Sequence, residues 1–136
     1  MQSIMRKACF FPIVVSAFAL VATCATASAQ KRWECPTLVP VSNPIAPSPA
    51  AIEKGRQLAS VSCAQCHGEN GTGKSAEAAG LKTPPPSWRT REFQSQSDAC
   101  IFWKISTGHG DMPATGAAPE KERWLMLTFI RSLGEK

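Results

Sequence analysis

The sequence predicts a small helical domain, on two observations. Residues 49–63 place small and apolar residues at the spacing of one helix face, and residues 119–133 do so with larger side chains. No pattern of parallel strands lies between them. A chain of 136 residues with 43% hydrophobic residues is one ordinary soluble domain by size and composition.

Residues 1–29 have the features of a secretory signal peptide. Arg6 and Lys7 form the positive N-terminal region, and an apolar stretch follows them. Ala27-Ser28-Ala29 is the small-residue pattern typical of a cleavage site. We therefore expect the mature chain to begin at Gln30.

Two other fates of this leader stay open. Residues 8–29 carry no charge and are long enough to remain as a membrane anchor, and Cys24 is a candidate lipidation site. Membrane association is expected only if the leader is retained. In each case the rest of the chain is exported, and we expect the periplasm, an oxidising compartment.

Residues 30–48 form a proline-rich N-terminal arm. Proline removes backbone donors and favours extended geometry, so this segment is either an arm that lies on the domain or a linker. Trp33 is the residue that would pin the arm to the body. The alternative is that residues 30–48 are disordered.

The first helix is predicted to begin at Ser48-Pro49, where a capping hydroxyl precedes a proline at the first helical position. Gly55 in its middle costs about 1 kcal/mol relative to alanine. A glycine there indicates close approach by another element, and the last helix, residues 119–133, is the candidate. Gly134 follows as its terminator.

The first helix leads into Cys63-Ala64-Gln65-Cys66-His67, which is the C-x-x-C-H attachment signature for c-type haem. Two thiols on one helical turn can each bond to a haem vinyl group. The adjacent imidazole then lies under the iron as its proximal ligand. The motif predicts one covalent haem c, with Cys63 and Cys66 as attachment residues and His67 as an iron ligand.

Two competing motifs have to be weighed here, one made of the same residues and one that follows them directly. Cys63, Cys66 and His67 with a further cysteine would make four zinc ligands, but zinc sites more often pair two spaced couples. Residues 68–75 match the phosphate-loop pattern G-x-x-x-x-G-K-S, which functions only between a strand and a helix. We expect no nucleotide. The net charge of +5 includes the leader's two cations, and haem propionates would offset more of it, so we expect no nucleic acid.

The chain resembles small class I cytochromes c over about residues 50–134. The resemblance rests on the C-x-x-C-H motif and on five further segments: His67-Gly68 to Gly73, Thr83 to Trp88, Cys100 to Gly108, Gly110-Asp111-Met112-Pro113, and Trp124 to Leu133. It implies an all-α cytochrome c fold for residues 49–136, with N- and C-terminal helices crossing at Gly55 around one covalently bound haem.

The resemblance also implies the remaining ligand chemistry. Met112, in the family's G-x-M-P segment, is the expected second axial ligand, since a thioether raises the reduction potential and closes the iron. His109 is the alternative. The N–H of the ligating histidine is donated in the family to a loop carbonyl. Here the candidate acceptors are Thr83, Pro84 and Pro85.

Trp88, Arg89 and Arg91 are candidates for contacts with the haem propionates, because partly buried carboxylates need donors. A solvated surface is the alternative for the arginines.

With Cys63 and Cys66 on haem, Cys35 and Cys100 remain in an oxidising compartment, which favours a disulfide between them. The alternative is one buried cysteine and one free thiol.

No set of acid, base or nucleophile is visible, so we expect an electron carrier rather than an enzyme. The predicted function is electron transfer by one haem with His/Met ligation, between redox partner proteins such as a donor dehydrogenase and an acceptor oxidase. Two alternatives are a haem subunit of a larger dehydrogenase or oxidase complex and a ligand-binding haem enzyme or sensor with an open sixth position.

Overall fold

The computed structural model describes residues 33–37 and 41–134. The predicted signal peptide, residues 1–29, lies outside the described residues, as do residues 30–32 and 38–40 of the arm. The described secondary structure is helical and contains no β-strand, which confirms the all-α prediction. The helices are α1 (Pro49–Ser62), α2 (Ala64–His67), a 3-10 helix (Glu77–Gly80), α3 (Arg91–Gln94), α4 (Asp98–Thr107) and α5 (Glu120–Ser132).

Helix α1 begins where the sequence predicts. The Ala51 backbone N–H donates to Ser48 Oγ over 3.1 Å, and Pro49 takes the first helical position. The helix ends at Ser62, because Cys63 leaves helical geometry with φ −127° and ψ −32°. The short helix α2 then resumes, so the haem-attachment motif lies at the joint between two helices.

Helix α5 supplies the largest part of the core. Pro119 stands at its N-cap, and the helix ends one residue before Leu133, close to the predicted bounds. The predicted apolar face is buried, Met126 with it at 2% exposure. Its buried hydrophobic residues are Trp124, Met126, Leu127, Phe129 and Ile130.

Helices α1 and α5 cross at Gly55, as predicted from the glycine. A Cβ atom placed on Gly55 would overlap the carbonyl group of Leu125 and meet Phe129 Cβ. The two helix backbones therefore approach each other so closely at this point that only glycine, which has no Cβ atom, fits at position 55. The core cluster around this crossing continues through Trp88, Phe93 and α4.

The described part of the arm contacts the helices through Asn43. Its side-chain amide donates to the Trp124 carbonyl over 3.1 Å and to Thr128 Oγ1 over 2.9 Å, both on α5. Its backbone N–H donates to Asp98 Oδ2 over 2.9 Å at the start of α4. Ile45 N–H donates back to Asn43 Oδ1 over 2.9 Å, which forms a turn at the Asn-Pro step.

Among the described residues, no helix has the length and apolar character needed to cross a bilayer.

Candidate functional site

The C-x-x-C-H motif forms one helical turn at the α1–α2 joint. The backbone N–H groups of Cys66 and His67 donate to the Cys63 carbonyl over 3.2 and 2.9 Å. Both cysteines are half-buried, and both are free thiols. Three-residue spacing on a turn of helix puts the two sulfur atoms on one face, as attachment to a single porphyrin requires.

His67 is buried, with 9% of its surface exposed. Burial lowers the pKa of His67 from 6.5 to about 4, because the low-dielectric surroundings disfavour the imidazolium. The ring is therefore neutral near pH 7, as a metal-binding imidazole must be. Its Nδ1 atom has no hydrogen-bond partner in the described structure.

Trp88 lies directly on His67. The two rings stack with centroids 4.5 Å apart and planes inclined by 25°, and Trp88 is 4% exposed. The Trp88 backbone N–H donates to the Gly71 carbonyl over 2.7 Å, and a Cβ on Gly71 would meet the indole ring. The sequence suggested Trp88 as a propionate contact, and the structure adds that its ring packs against the candidate iron ligand.

The glycine-rich loop after the motif folds back onto it. Gly73 N–H donates to the His67 carbonyl over 2.8 Å, and Ser75 Oγ donates to the Cys66 carbonyl over 3.0 Å. Gly73 has φ +69°, and a Cβ there would overlap the Pro85 carbonyl. This loop follows a helix instead of a strand, so it lacks the setting that phosphate binding requires.

The loop that carries the three proposed acceptors for His67 makes no hydrogen bond to it. Thr83, Pro84 and Pro85 are each described, but His67 Nδ1 has no partner. The Pro85 carbonyl instead lies against Gly73. The choice of acceptor therefore stays open.

Met112 lies in a tight loop at the end of α4. His109 N–H donates to the Met112 carbonyl over 2.9 Å, and Met112 N–H donates to the His109 carbonyl over 3.0 Å. Gly108, with φ +65°, begins the turn, and a Cβ there would collide with Met112 and Pro113 backbone atoms. Met112 is half-buried and packs against the core cluster, whereas His109 is exposed.

Two further contacts hold the loop that carries Met112. The Lys82 backbone N–H donates to Asp111 Oδ2 over 3.2 Å. Thr115 closes the loop onto α4, since its N–H and hydroxyl both donate to the Ile105 carbonyl, over 2.9 and 2.6 Å. The segment carrying Met112 is thus connected both to α4 and to the loop that begins at Lys82 and contains Thr83, Pro84 and Pro85.

Arg89 and Arg91, the other candidate propionate contacts, are exposed. Within the described part of the chain no hydrogen bond or ion pair involves either guanidinium. Their donors are available to an anionic group at this surface.

Cys35 and Cys100 are brought together. The structure joins them as a disulfide with Cα atoms 5.6 Å apart, within the range for such bonds. The bond ties the arm to the first turn of α4. Among the described cysteines, Cys63 and Cys66 are then the two that remain free, as the sequence interpretation requires.

Cys35 and Cys100, the candidates for a fourth zinc ligand beside Cys63, Cys66 and His67, are bonded to each other. Burial, with a contribution from Cys66, raises the pKa of the Cys63 thiol to about 11, so this thiol is protonated near pH 7. In residues 33–37 and 41–134 no cluster of three or more His, Cys, Asp or Glu side chains is arranged to hold a metal ion. Free thiols beside a neutral, buried imidazole fit covalent haem attachment instead, and the residues present match that group.

Several of these contacts were not found from the sequence. Asn43 and the Trp88–His67 stack carry no motif of their own. The Asn43-Pro44 pair is a turn signal, but which helix the turn meets depends on packing between segments far apart in the chain.

Two comparisons with known proteins found matches to this chain. The family model described as "Cytochrome C oxidase, cbb3-type, subunit III" matches residues 50–130. Among solved structures, a chain of the Kuenenia stuttgartiensis reducing HAO-like protein complex matches with a TM-score of 0.63 and 22% identity, over 77% of this chain and 53% of that chain. This chain thus spans about half the length of that neighbour, and the likeness is one of fold.

A comparison with curated protein sequences gave no match. The family match covers more than half of the chain and includes the whole C-x-x-C-H site. The all-α fold, the free cysteine pair and the buried histidine agree with it. The chain belongs to the cytochrome c oxidase cbb3-type subunit III family and is a c-type cytochrome.

Proposed function

We propose that this protein is an exported electron carrier with one haem, bonded covalently through Cys63 and Cys66 and ligated by His67 and Met112. It passes single electrons between redox partner proteins in the periplasm. The haem supplies the one-electron couple. The observation that carries the proposal is the single helical turn that presents two free thiols and a neutral, buried imidazole together.

The chain's own residues would hold His67 in the same place in both oxidation states of a bound haem. His67 is held by backbone hydrogen bonds on both sides, to the Cys63 carbonyl and from Gly73 N–H. Trp88 packs on its ring and limits its rotation. A rigid ligand set limits rearrangement when an electron arrives or leaves, which suits a carrier.

The Met112 loop is equally constrained, by its own backbone pair and by the Asp111 and Thr115 contacts. A Met112 thioether bound to the haem iron would close it to small molecules. This favours electron transfer over a gas or peroxide site, which needs that position open.

The test is expression with signal sequence in a bacterium that carries a c-type maturation system. We expect red protein in the periplasmic fraction, an intact mass equal to the chain from Gln30 plus one haem, and a ferric spectrum with the weak long-wavelength band of iron–sulfur bonding. Cys63→Ala with Cys66→Ala should abolish covalent haem. Colourless protein at the bare polypeptide mass would contradict the proposal.

A docked subunit is the second candidate, because the matching family is described by an oxidase subunit and the structural neighbour is a chain of a protein complex. The two roles differ in what purifies together. A free carrier elutes at the size of the monomer after mild extraction of native cells. A subunit elutes with a larger redox enzyme, with residues 30–48 the candidate docking arm.

A further inference from the structure

The N-terminal arm reaches the loop that carries Met112. Trp33 stacks on the ring of His109 with centroids 5.0 Å apart and planes inclined by 22°. Its other neighbours belong to α4: the Trp103 ring at 5.7 Å, tilted by 55°, and Lys104 Nζ at 5.4 Å from the indole centroid. One indole therefore bridges α4 and the loop that follows it.

The Cys35–Cys100 disulfide restricts the position of Trp33. Cys35, two residues later, is joined to Cys100 on the first turn of α4. The disulfide leaves only one residue of chain between the bond and the indole. Trp33 is thereby held near its partners even though residues 38–40 separate this stretch from the rest of the described arm.

His109 transmits this contact to Met112. The two residues exchange both of their backbone hydrogen bonds, at 2.9 and 3.0 Å, so the His109 backbone cannot move away without breaking the pair that shapes the Met112 turn. The other anchors, Asp111 and Thr115, hold the loop at later positions. Trp33 braces its exposed beginning.

We propose that Trp33, held by the Cys35–Cys100 disulfide, is a positioning residue that keeps the Met112 loop closed through its stack on His109. The inference rests on the proposed role of Met112 as an iron ligand. Loss of the indole removes an aromatic pair from the closed loop and nothing from the open one. The loop then opens more often, and the sixth position becomes accessible to added ligands.

The experiment uses the holoprotein and measures the rate at which imidazole binds ferric iron, which requires the Met112 loop to open. In Trp33→Ala the rate should rise about two- to tenfold, the range that an aromatic pair contributes. Trp33→Phe retains a ring and should restore most of the wild-type rate. Cys35→Ser with Cys100→Ser should raise the rate as Trp33→Ala does. Serine variants are preferred to a thiol reductant because the reductant would also reduce iron.

A double-mutant cycle tests whether Trp33 acts through His109. If it does, Trp33→Ala changes the rate in the wild-type background and has little further effect in His109→Ala. Equal effects in both backgrounds would overturn the proposal. Asn43→Ala is the matched control, since it removes the arm's side-chain hydrogen bonds to Trp124 and Thr128 on α5. It should lower the unfolding midpoint and leave the imidazole rate unchanged.

The outcomes separate this inference from the proposed function. If wild-type protein lacks the long-wavelength band and binds imidazole at once, Met112 ligation itself is wrong. If the band is present and Trp33→Ala leaves both band and rate unchanged, only the role of Trp33 is overturned. The role of Trp33 is also overturned if Asn43→Ala raises the imidazole-binding rate as Trp33→Ala does, because the rate would then depend only on the loss of global stability.

Discussion

The Gly55 backbone lies against the Leu125 carbonyl, so close that a Cβ atom would overlap it. In an open helix Gly→Ala stabilises by about 1 kcal/mol. At Gly55 the added methyl must push α1 away from α5, which costs about 1–3 kcal/mol or more in a packed core. Because the clash is with backbone atoms of Leu125, the cost lies at the upper end of this range. After the helix-propensity gain, we expect Gly55→Ala to lower the free energy of unfolding by about 2 kcal/mol, measured by guanidinium unfolding of the holoprotein.

Gly80 provides the matched control, because a Cβ there meets no atom within 4 Å. Gly80→Ala should change the unfolding free energy by no more than about 0.5 kcal/mol. If Gly55→Ala were as neutral as Gly80→Ala, the close helix crossing would be wrong.

Arg131 connects α5 to the turn before α4. Its guanidinium donates to Asp98 Oδ1 over 2.7 and 2.8 Å and to the carbonyls of Gln94 and Gln96 over 2.7 and 2.6 Å. Arg131→Met keeps the apolar stem but leaves these acceptors without their donor. Because the pair is about a quarter exposed, at 26% and 25%, we expect a loss of about 2 kcal/mol.

Thermal unfolding of the holoprotein measures this effect. Arg56→Met is the comparison, since Arg56 pairs with Glu53 on the exposed face of α1 and such surface pairs contribute little. Its midpoint should stay close to wild type. A similar loss in both variants would mean that the Arg131 hydrogen bonds have no special weight.

Substitutions at Met112 and at Met126 distinguish a methionine that binds the iron from one that only packs in the core. Met112→Ala should remove the iron–sulfur band and allow ferrous iron to bind carbon monoxide, because the sixth position is then open. Met126 is 2% exposed within the core, so Met126→Leu should keep the band and cost less than about 1.5 kcal/mol. Absorbance spectra before and after carbon monoxide distinguish the two. Retention of the band in Met112→Ala would assign the sulfur ligand elsewhere.

The Cys35–Cys100 bond closes a loop with a sequence separation of 65. In the chain-entropy model, opening such a loop costs about 4 kcal/mol. We therefore expect Cys35→Ser with Cys100→Ser to lower the unfolding free energy strongly while the haem stays covalently attached. Non-reducing peptide mapping of wild-type protein should yield one peptide pair linked through these cysteines. Two separate thiol peptides would contradict the bond.

Local chemistry made the haem motif and the helix ends predictable. Cys63, Cys66 and His67 lie within one turn, so their relation follows from helix geometry alone. The Ser48 cap acts over three residues. Gly55 indicated a close approach by another helix, because a glycine inside a helix is otherwise unfavourable. The family match agrees with the fold that these signals indicated.

The contacts around the motif depended on tertiary structure. Trp88 was predicted as a candidate propionate contact, and nothing in the sequence indicated that its ring would stack on His67. Trp33 was predicted to pin the arm, with no sign that its partner would be His109. The physical reason is that such pairs join segments distant in the chain. Their meeting depends on how α4, α5 and the loops pack together, whereas a motif within one turn needs only the helix that contains it.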